Sequence, residues 1–456
     1  MGQKWGWASG RLAGRLGPQA PSCGESDCPP VVPPSLSARL RVQVLIFTGI
    51  RALINTGYRM VYPFLPTLAR GLGVDVATVA LAVTARSSLG FFGPAFGALA
   101  DRWGRRVAML FGLGVVVTSL LLISLLPVYA ALLVGLLLLS AGKIVFDSTL
   151  QAYLGDRVHY ARRGQAIGLV EIGWSAAFLV GVPLAGWLIA ASSQRLPYPG
   201  LAAWLPGASL PGWSLERLGW NAPFPWLAAL ILAAALLLGR MLPPDAPHAG
   251  TRPPLLKGIR AIASRRAALA GLAISLLISG ANETVGIVFG VWMEGAFGLP
   301  VAALGAASMA IGLAELGGEG LVAGLADRLG KRRAVALGLG GSVLTALALP
   351  VLGGGLGGGL VGLFLFYLAF EFTLVTTIAL MTELAPQTRA TLMAANIAFQ
   401  SIGRALGAPL GTALFTAGLA GGVTANSLAA ALWNGAALIL LLRFVRPTEH
   451  GVGAGL

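Results

Sequence analysis

Glu315 and Glu319 stand four residues apart in IGLAELGGEGLVAGLA, a stretch otherwise made of apolar residues and glycine. On a helix that spacing puts both carboxylates on one face, a turn apart. Two carboxylates so close in an apolar wall resist ionising together, and a group placed that way can take up and release a proton. Glu283 and Glu371 also lie inside apolar runs, so these four acids are the candidates for proton coupling. Structural pairing of an acid with Arg404 or another base is the competing reading.

Basic and polar side chains recur with the same period. Arg51, Asn55 and Arg59 follow at i, i+4 and i+8, with Tyr58 and Tyr62 beside them; Lys143, Asp147 and Gln151 repeat the pattern, as do Asn396, Gln400 and Arg404. An ionisable side chain in an apolar span faces a partner or a wet cavity. One central cavity would serve every stripe, so Arg51, Asn55, Tyr58, Arg59, Arg86, Lys143, Asp147, Asn396, Gln400 and Arg404 are expected to line it. A guanidinium offers carboxylate or phosphate a rigid fork. The same arginines also suit salt bridges that gate access, and spacing leaves both roles open. Tyr58, Tyr62, Trp174 and Tyr367 suit a wall for an apolar ligand, whereas Trp292 reads as an interfacial anchor.

The elements that position these residues are apolar helices. Of 456 residues, 56% are hydrophobic and 11% charged, well outside the range of soluble domains. At about 20 apolar residues per crossing, the chain divides into 43–68, 77–99, 107–126, 129–153, 165–190 and 223–241, then 268–292, 302–325, 334–351, 360–383, 390–416 and 424–445. That gives an all-α integral membrane protein of twelve transmembrane helices in two six-helix bundles, 41–241 and 268–446. Residues 242–267 form the linker between them, 1–40 a Pro/Ser/Gly-rich disordered tail without a signal-peptide pattern, and 447–456 a second tail. Most Lys and Arg fall on one side, while the opposite loops carry only Arg70, Arg195 and Arg217. Both termini are therefore expected in the cytoplasm. The net charge of +15 then reflects topology and anionic lipid, not nucleic acid. The outer loop 192–222, rich in Trp and Pro, reads as a surface cap. Cys23 and Cys28 read as two unpaired thiols, and three scattered histidines supply neither a metal site nor a catalytic cluster; no cofactor is expected.

GALADRWGRR, from Gly97, is echoed by AGLADRLGKRR, from Ala323, with Asp101 falling on Asp327, 226 positions later. Gly181 and Pro183 fall on Gly407 and Pro409 at the same offset, and Arg163 falls on Arg389. Two copies of one six-helix unit explain the register, and parallel halves with a site between them are a transporter architecture.

The sequence Gly97-x-x-x-Asp101-Arg102-x-Gly104-Arg105-Arg106, between spans 2 and 3, resembles the signature loop of the major facilitator superfamily, over a likeness covering roughly 41–446. The second copy departs from it at Ala323 and Lys331 but keeps Asp327 and Arg328. The resemblance implies a loop that latches one conformation, with Asp101 and Arg105 as its main members and Asp156 as partner. Gly181, Pro183 and Gly186 loosely resemble the family's antiporter motif, and Gly407, Pro409 and Gly411 repeat it; a small-residue packing seam explains both copies equally.

These features imply a secondary transporter, not an enzyme, that works by alternating access. Proton-driven efflux of small organic molecules from a bacterial inner membrane, by a monomer, is the expected activity. Proton-coupled uptake of an anionic metabolite and a non-transporting sensor or lipid-translocating protein are the alternatives.

Overall fold

A computed structural model describes residues 38–93, 103–158, 160–193, 219–242, 260, 262–384, 389–418 and 422–445. Regular structure among them is helical. The first half comprises α1 (Ala38–Arg59), α2 (Leu65–Leu72), α3 (Val76–Ser88) with a 3-10 turn at Leu89–Phe92, α4 (Arg105–Leu125), α5 (Tyr129–Arg157), α6 (Tyr160–Ala176), a π-turn at Ala177–Gly181, α7 (Val182–Ser193) and α8 (Pro223–Met241). The second comprises α9 (Arg266–Gly286), α10 (Phe289–Phe297), α11 (Val301–Ala307), α12 (Met309–Leu329), α13 (Lys331–Leu352), α14 (Leu356–Leu384), α15 (Arg389–Thr416) and α16 (Thr424–Phe444).

Nine helical segments among the described residues are long and apolar enough to cross a membrane, and ten if the bent pair α2 and α3 counts as one. The two other long helices are α1 and α15, which carry the polar stripes Arg51/Asn55/Arg59 and Asn396/Gln400/Arg404. Exposed leucines and valines, such as Leu344, Val351 and Leu432, cover the outer surface as a lipid-facing shell requires.

The first span, expected as one segment over 43–68, is broken. Pro63 has no N–H to give the Arg59 carbonyl, and the Tyr62 amide takes that carbonyl instead at 3.1 Å. Helix α1 therefore stops at Arg59, and a turn carries Tyr62 past it into α2. Asp75 caps α3 through the Thr78 amide at 2.9 Å. This hydrogen bond holds the Asp75 carboxyl below its ordinary value of 3.8.

The repeat is visible in the backbone. Gly104 and Gly330 have φ of 81° and 78°, a conformation that favours glycine, and each starts a helix, α4 and α13, 226 residues apart. Around them the ties are duplicated. Arg105 Nε meets Asp156 at 3.2 Å and Arg106 donates to the Gly239 carbonyl at 2.5 Å. In the second half Lys331 pairs with Glu383, and Arg332 donates to the Val445 carbonyl at 2.6 Å.

The halves pack on each other through α3 and its 3-10 turn against α15, and through α7 and the π-turn against α11 and α12. At one end, Arg70 and Glu294 join them at 2.8 Å, and a Cβ on Gly290 would stand 2.2 Å from the Pro63 carbonyl oxygen. At the opposite end, which carries Arg105 and Lys331, the polar ties just described run inside each half. The contacts of Arg59 with Glu315, Tyr62 with Glu283, Ser175 with Glu319, Ser308 with the Phe178 carbonyl and Arg70 with Glu294 cross the seam near mid-height or toward the Arg70 end.

Candidate functional site

A cavity with an empty volume of about 540 Å³, including its mouth, lies on this seam. Its charged lining is Arg59, Glu283, Glu315, Glu371 and Arg404, and its aromatic wall includes Tyr58, Tyr62, Trp174, Phe178, Tyr367 and Phe370. Each acid comes from a second-half helix: Glu283 three residues before the end of α9, Glu315 in the first half of α12 and Glu371 near the middle of α14.

Arg59 and Glu315 form the centre. The guanidinium donates to both carboxylate oxygens, at 2.7 and 2.5 Å, and the two side chains are 4% and 1% exposed. Trp174 Nε1 donates to the same carboxylate at 3.2 Å. The guanidinium lies 4.0 Å from the Trp174 ring and 3.7 Å from that of Phe178, a cation–π arrangement that is strongest when dry. The Tyr62 hydroxyl, swung into the seam by the break at Pro63, donates to Glu283 at 3.0 Å. Glu319, a turn beyond Glu315, lies outside the cavity lining and accepts from Ser175 at 3.5 Å. The pair Glu315/Glu319 is thus split between two environments, since Arg59 claims only the first.

Several residues expected in the cavity lie outside its lining. Arg51 meets Glu171 at 2.7 Å and Asp147 at 3.1 Å, the latter contact not aligned as a hydrogen bond, while Lys143 meets Asp147 at 2.6 Å. Asn55 donates to the Gly173 carbonyl at 3.2 Å. These stripes therefore face one another across α1, α5 and α6 inside the first half, and partner each other without a common cavity. Arg86 is fully buried behind the tyrosines, donating to the Tyr58 carbonyl and stacked 3.8 Å from the Tyr58 ring. Asn396 and Gln400 are buried on α15 outside the lining, so only Arg404 of that stripe reaches the cavity. Phe178, Asn282 and Phe370 line the cavity without having been singled out. Phe178 follows Trp174 by one turn and Asn282 adjoins Glu283, and those were the signals available.

The sequence matches the family model of the Major Facilitator Superfamily over residues 47–408. The chain belongs to the major facilitator superfamily. Among curated proteins of the family it is 31% identical over 130 residues to YwfA, an uncharacterized MFS-type transporter of Bacillus subtilis (strain 168), covering 28% of this chain and 32% of that one. It is 24% identical over 161 residues to YbcL, another from the same organism, covering 35% and 41%. The alignment thus spans less than half of either relative's length. Among solved structures it is similar to a bacterial homolog of the human lysosomal transporter Spinster in an inward-facing, unoccupied conformation, with a TM-score of 0.66 at 16% identity, covering 90% of this chain and 96% of that one. It is also similar to the human organic anion transporter MFSD10 (TETRAN), with a TM-score of 0.61 at 21% identity, covering 89% and 100%. Family and fold are those of membrane transporters.

Of the family's signature loop, Gly97, Asp101 and Arg102 lie outside the described residues, as does the side chain of Asp327; Arg328 is exposed. Arg105, Arg106 and Asp156 tie α4 to α5 and α8 within the first half. The packing motifs divide as well. A Cβ on Gly186 would stand 3.0 Å from the Val301 carbonyl oxygen and 3.3 Å from Gly305, so this glycine lets α7 approach α11 across the seam. Pro183 stands against Gly305 at the same crossing, whereas Gly181 is pressed on Thr56 of α1. The second copy does not cross: Gly407 and Gly411 pack on Gly280 and Thr284 of α9, with Pro409 inside α15 between them.

Proposed function

We propose that the protein is a secondary active transporter that works by alternating access and exports small organic molecules in exchange for protons. The observation that carries this reading is the buried cavity at mid-height on the seam, walled by aromatics and by three carboxylates of one half facing arginine of the other. Rocking of the halves would expose it to each side in turn. The polar ties across the Arg70 end describe the arrangement closed there. With Lys and Arg concentrated at the other end, that end is cytoplasmic, both termini lie in the cytoplasm, and the cell membrane holds the protein as a monomer. The four acids Glu283, Glu315, Glu319 and Glu371 are the proton candidates. Uptake of an anionic metabolite with protons is the second reading, favoured by Arg404, which lines the cavity with no ion-pair partner among the described residues.

The test is flux in proteoliposomes under an imposed pH gradient, with a panel of metabolites and drugs in both directions. Export that follows the gradient, and is uncoupled in Glu315→Gln, Glu319→Gln or Glu371→Gln, supports the proposal. Flux that ignores the gradient in the wild type rules out proton exchange.

A further inference from the structure

Charge around the cavity does not balance carboxylate by carboxylate. Arg59 takes Glu315. Glu283 accepts from Tyr62 and has Arg404 and Arg86 in Coulombic reach. Glu371 has no such hydrogen bond, and the base within reach of it, Arg59, is already paired with Glu315. It is 5% exposed and lines the cavity, its Oε2 has no hydrogen-bond partner, and no base pairs with it among the described residues. The charges that bear on it are Glu315 and Glu319 from α12, Glu171 from α6 and Arg59 from α1, three acids against one base. A buried carboxylate in that company must be neutralised, either by a proton or by a cation that enters.

The same wall already shows how it receives a flat cation. The Arg59 guanidinium lies within 4.0 Å of both the Trp174 and Phe178 ring centroids and is held by a carboxylate. Near Glu371, Tyr367 and Phe370 stand edge to face, 6.3 Å between centroids, and both face the cavity. Aromatic faces beside a lone carboxylate favour a delocalised cation. An anion would have to use Arg404, whose charge already falls on Glu283.

We infer that the cavity takes a monovalent organic cation, its charge against Glu371 and its apolar body against Tyr367 and Phe370, and that cation and proton exclude one another at this carboxylate. The inference rests on the exchange reading above and names the substrate class of that site. No covalent step is involved: the Glu371 carboxyl gives up its proton to solvent as the cation arrives.

Benzamidinium and benzoate, nearly identical in shape and opposite in charge, are the probes, with the full-length protein in detergent and calorimetry at several pH values. Benzamidinium is expected to bind more tightly as pH rises and to release a proton on binding. Glu371→Gln should bind it at least about tenfold more weakly and without pH dependence, while Glu371→Asp keeps both properties. Gln replaces the protonated carboxyl with a neutral group of the same shape, and elution as a monodisperse peak confirms that the variant folds. The inference is overturned if the wild type fails to bind benzamidinium, binds it independently of pH, or loses it to benzoate, or if Glu371→Gln binds it unchanged. Benzoate binding together with gradient-driven flux in proteoliposomes would remove the cation and leave proton coupling standing.

Discussion

At the scale of the residue, Arg59 and Glu315 set what the seam costs to disturb. Removing one partner leaves the other charged and buried, which costs about 3–5 kcal/mol, so Glu315→Gln should lower the melting temperature markedly. The paired change Arg59→Met with Glu315→Leu should recover most of the loss, and thermal melts of the two variants check it. The contrast is Arg70→Gln: its side chain is 62% exposed, so its ion pair is worth at most about 1 kcal/mol and the melt should hardly move. Both members of the central pair were legible from sequence as charges inside spans. Their partnership was not, because spacing assigns a residue to a helix face and says nothing of a partner 256 positions away. The same limit misplaced Arg51, Asn55, Lys143 and Asp147. Their periodicity was real, but the faces they share look at each other inside one half.

At the scale of the element, the break after Arg59 and the two glycine starts do the positioning. Gly104→Ala or Gly330→Ala forces a side chain into the left-handed region and should cost of order 1–3 kcal/mol, seen as a lower melting temperature. The two should be similar, since the turns are copies. Asp75 gives a pH effect of known sign. Its carboxyl is depressed in the folded state, so capping is present above the ordinary value of 3.8 and is lost as pH falls through the depressed one. Protection of the Thr78 amide, its exchange rate relative to that of an unstructured chain at the same pH, should fall in acid, and should be low at all pH values in Asp75→Ala. Helix existence was legible from apolar length almost everywhere. What apolar length hid was the interruption at Pro63, because a proline within an apolar run changes which amide meets which carbonyl without changing hydropathy. Lys331 is a second case: in sequence it was a departure from the loop pattern, yet it fills the place of Arg105 by pairing with Glu383.

At the scale of the whole molecule, the 226-residue register was legible and carried the fold, because copied helix starts and copied ties follow from copied sequence. The packing motifs show where copying ends, since Gly186 crosses the seam and Gly411 does not. A bulky residue at Gly290 would meet the Pro63 carbonyl, so Gly290→Val should part the halves at that end. Spin labels at Arg70→Cys and Glu294→Cys should then report a longer separation than the same labels on the parent chain; an unchanged separation would sever this end from the rocking. The bidentate contact of Arg59 with Glu315 joins the halves close to midway between the faces, and on the alternating-access reading that makes it a fulcrum. With arms of roughly 15 Å to each face, a tilt of about ten degrees carries each helix end only some 2–3 Å, in opposite senses above and below. On the alternating-access reading, a small angular play, geared by where the pivot was set, would trade one mouth for the other.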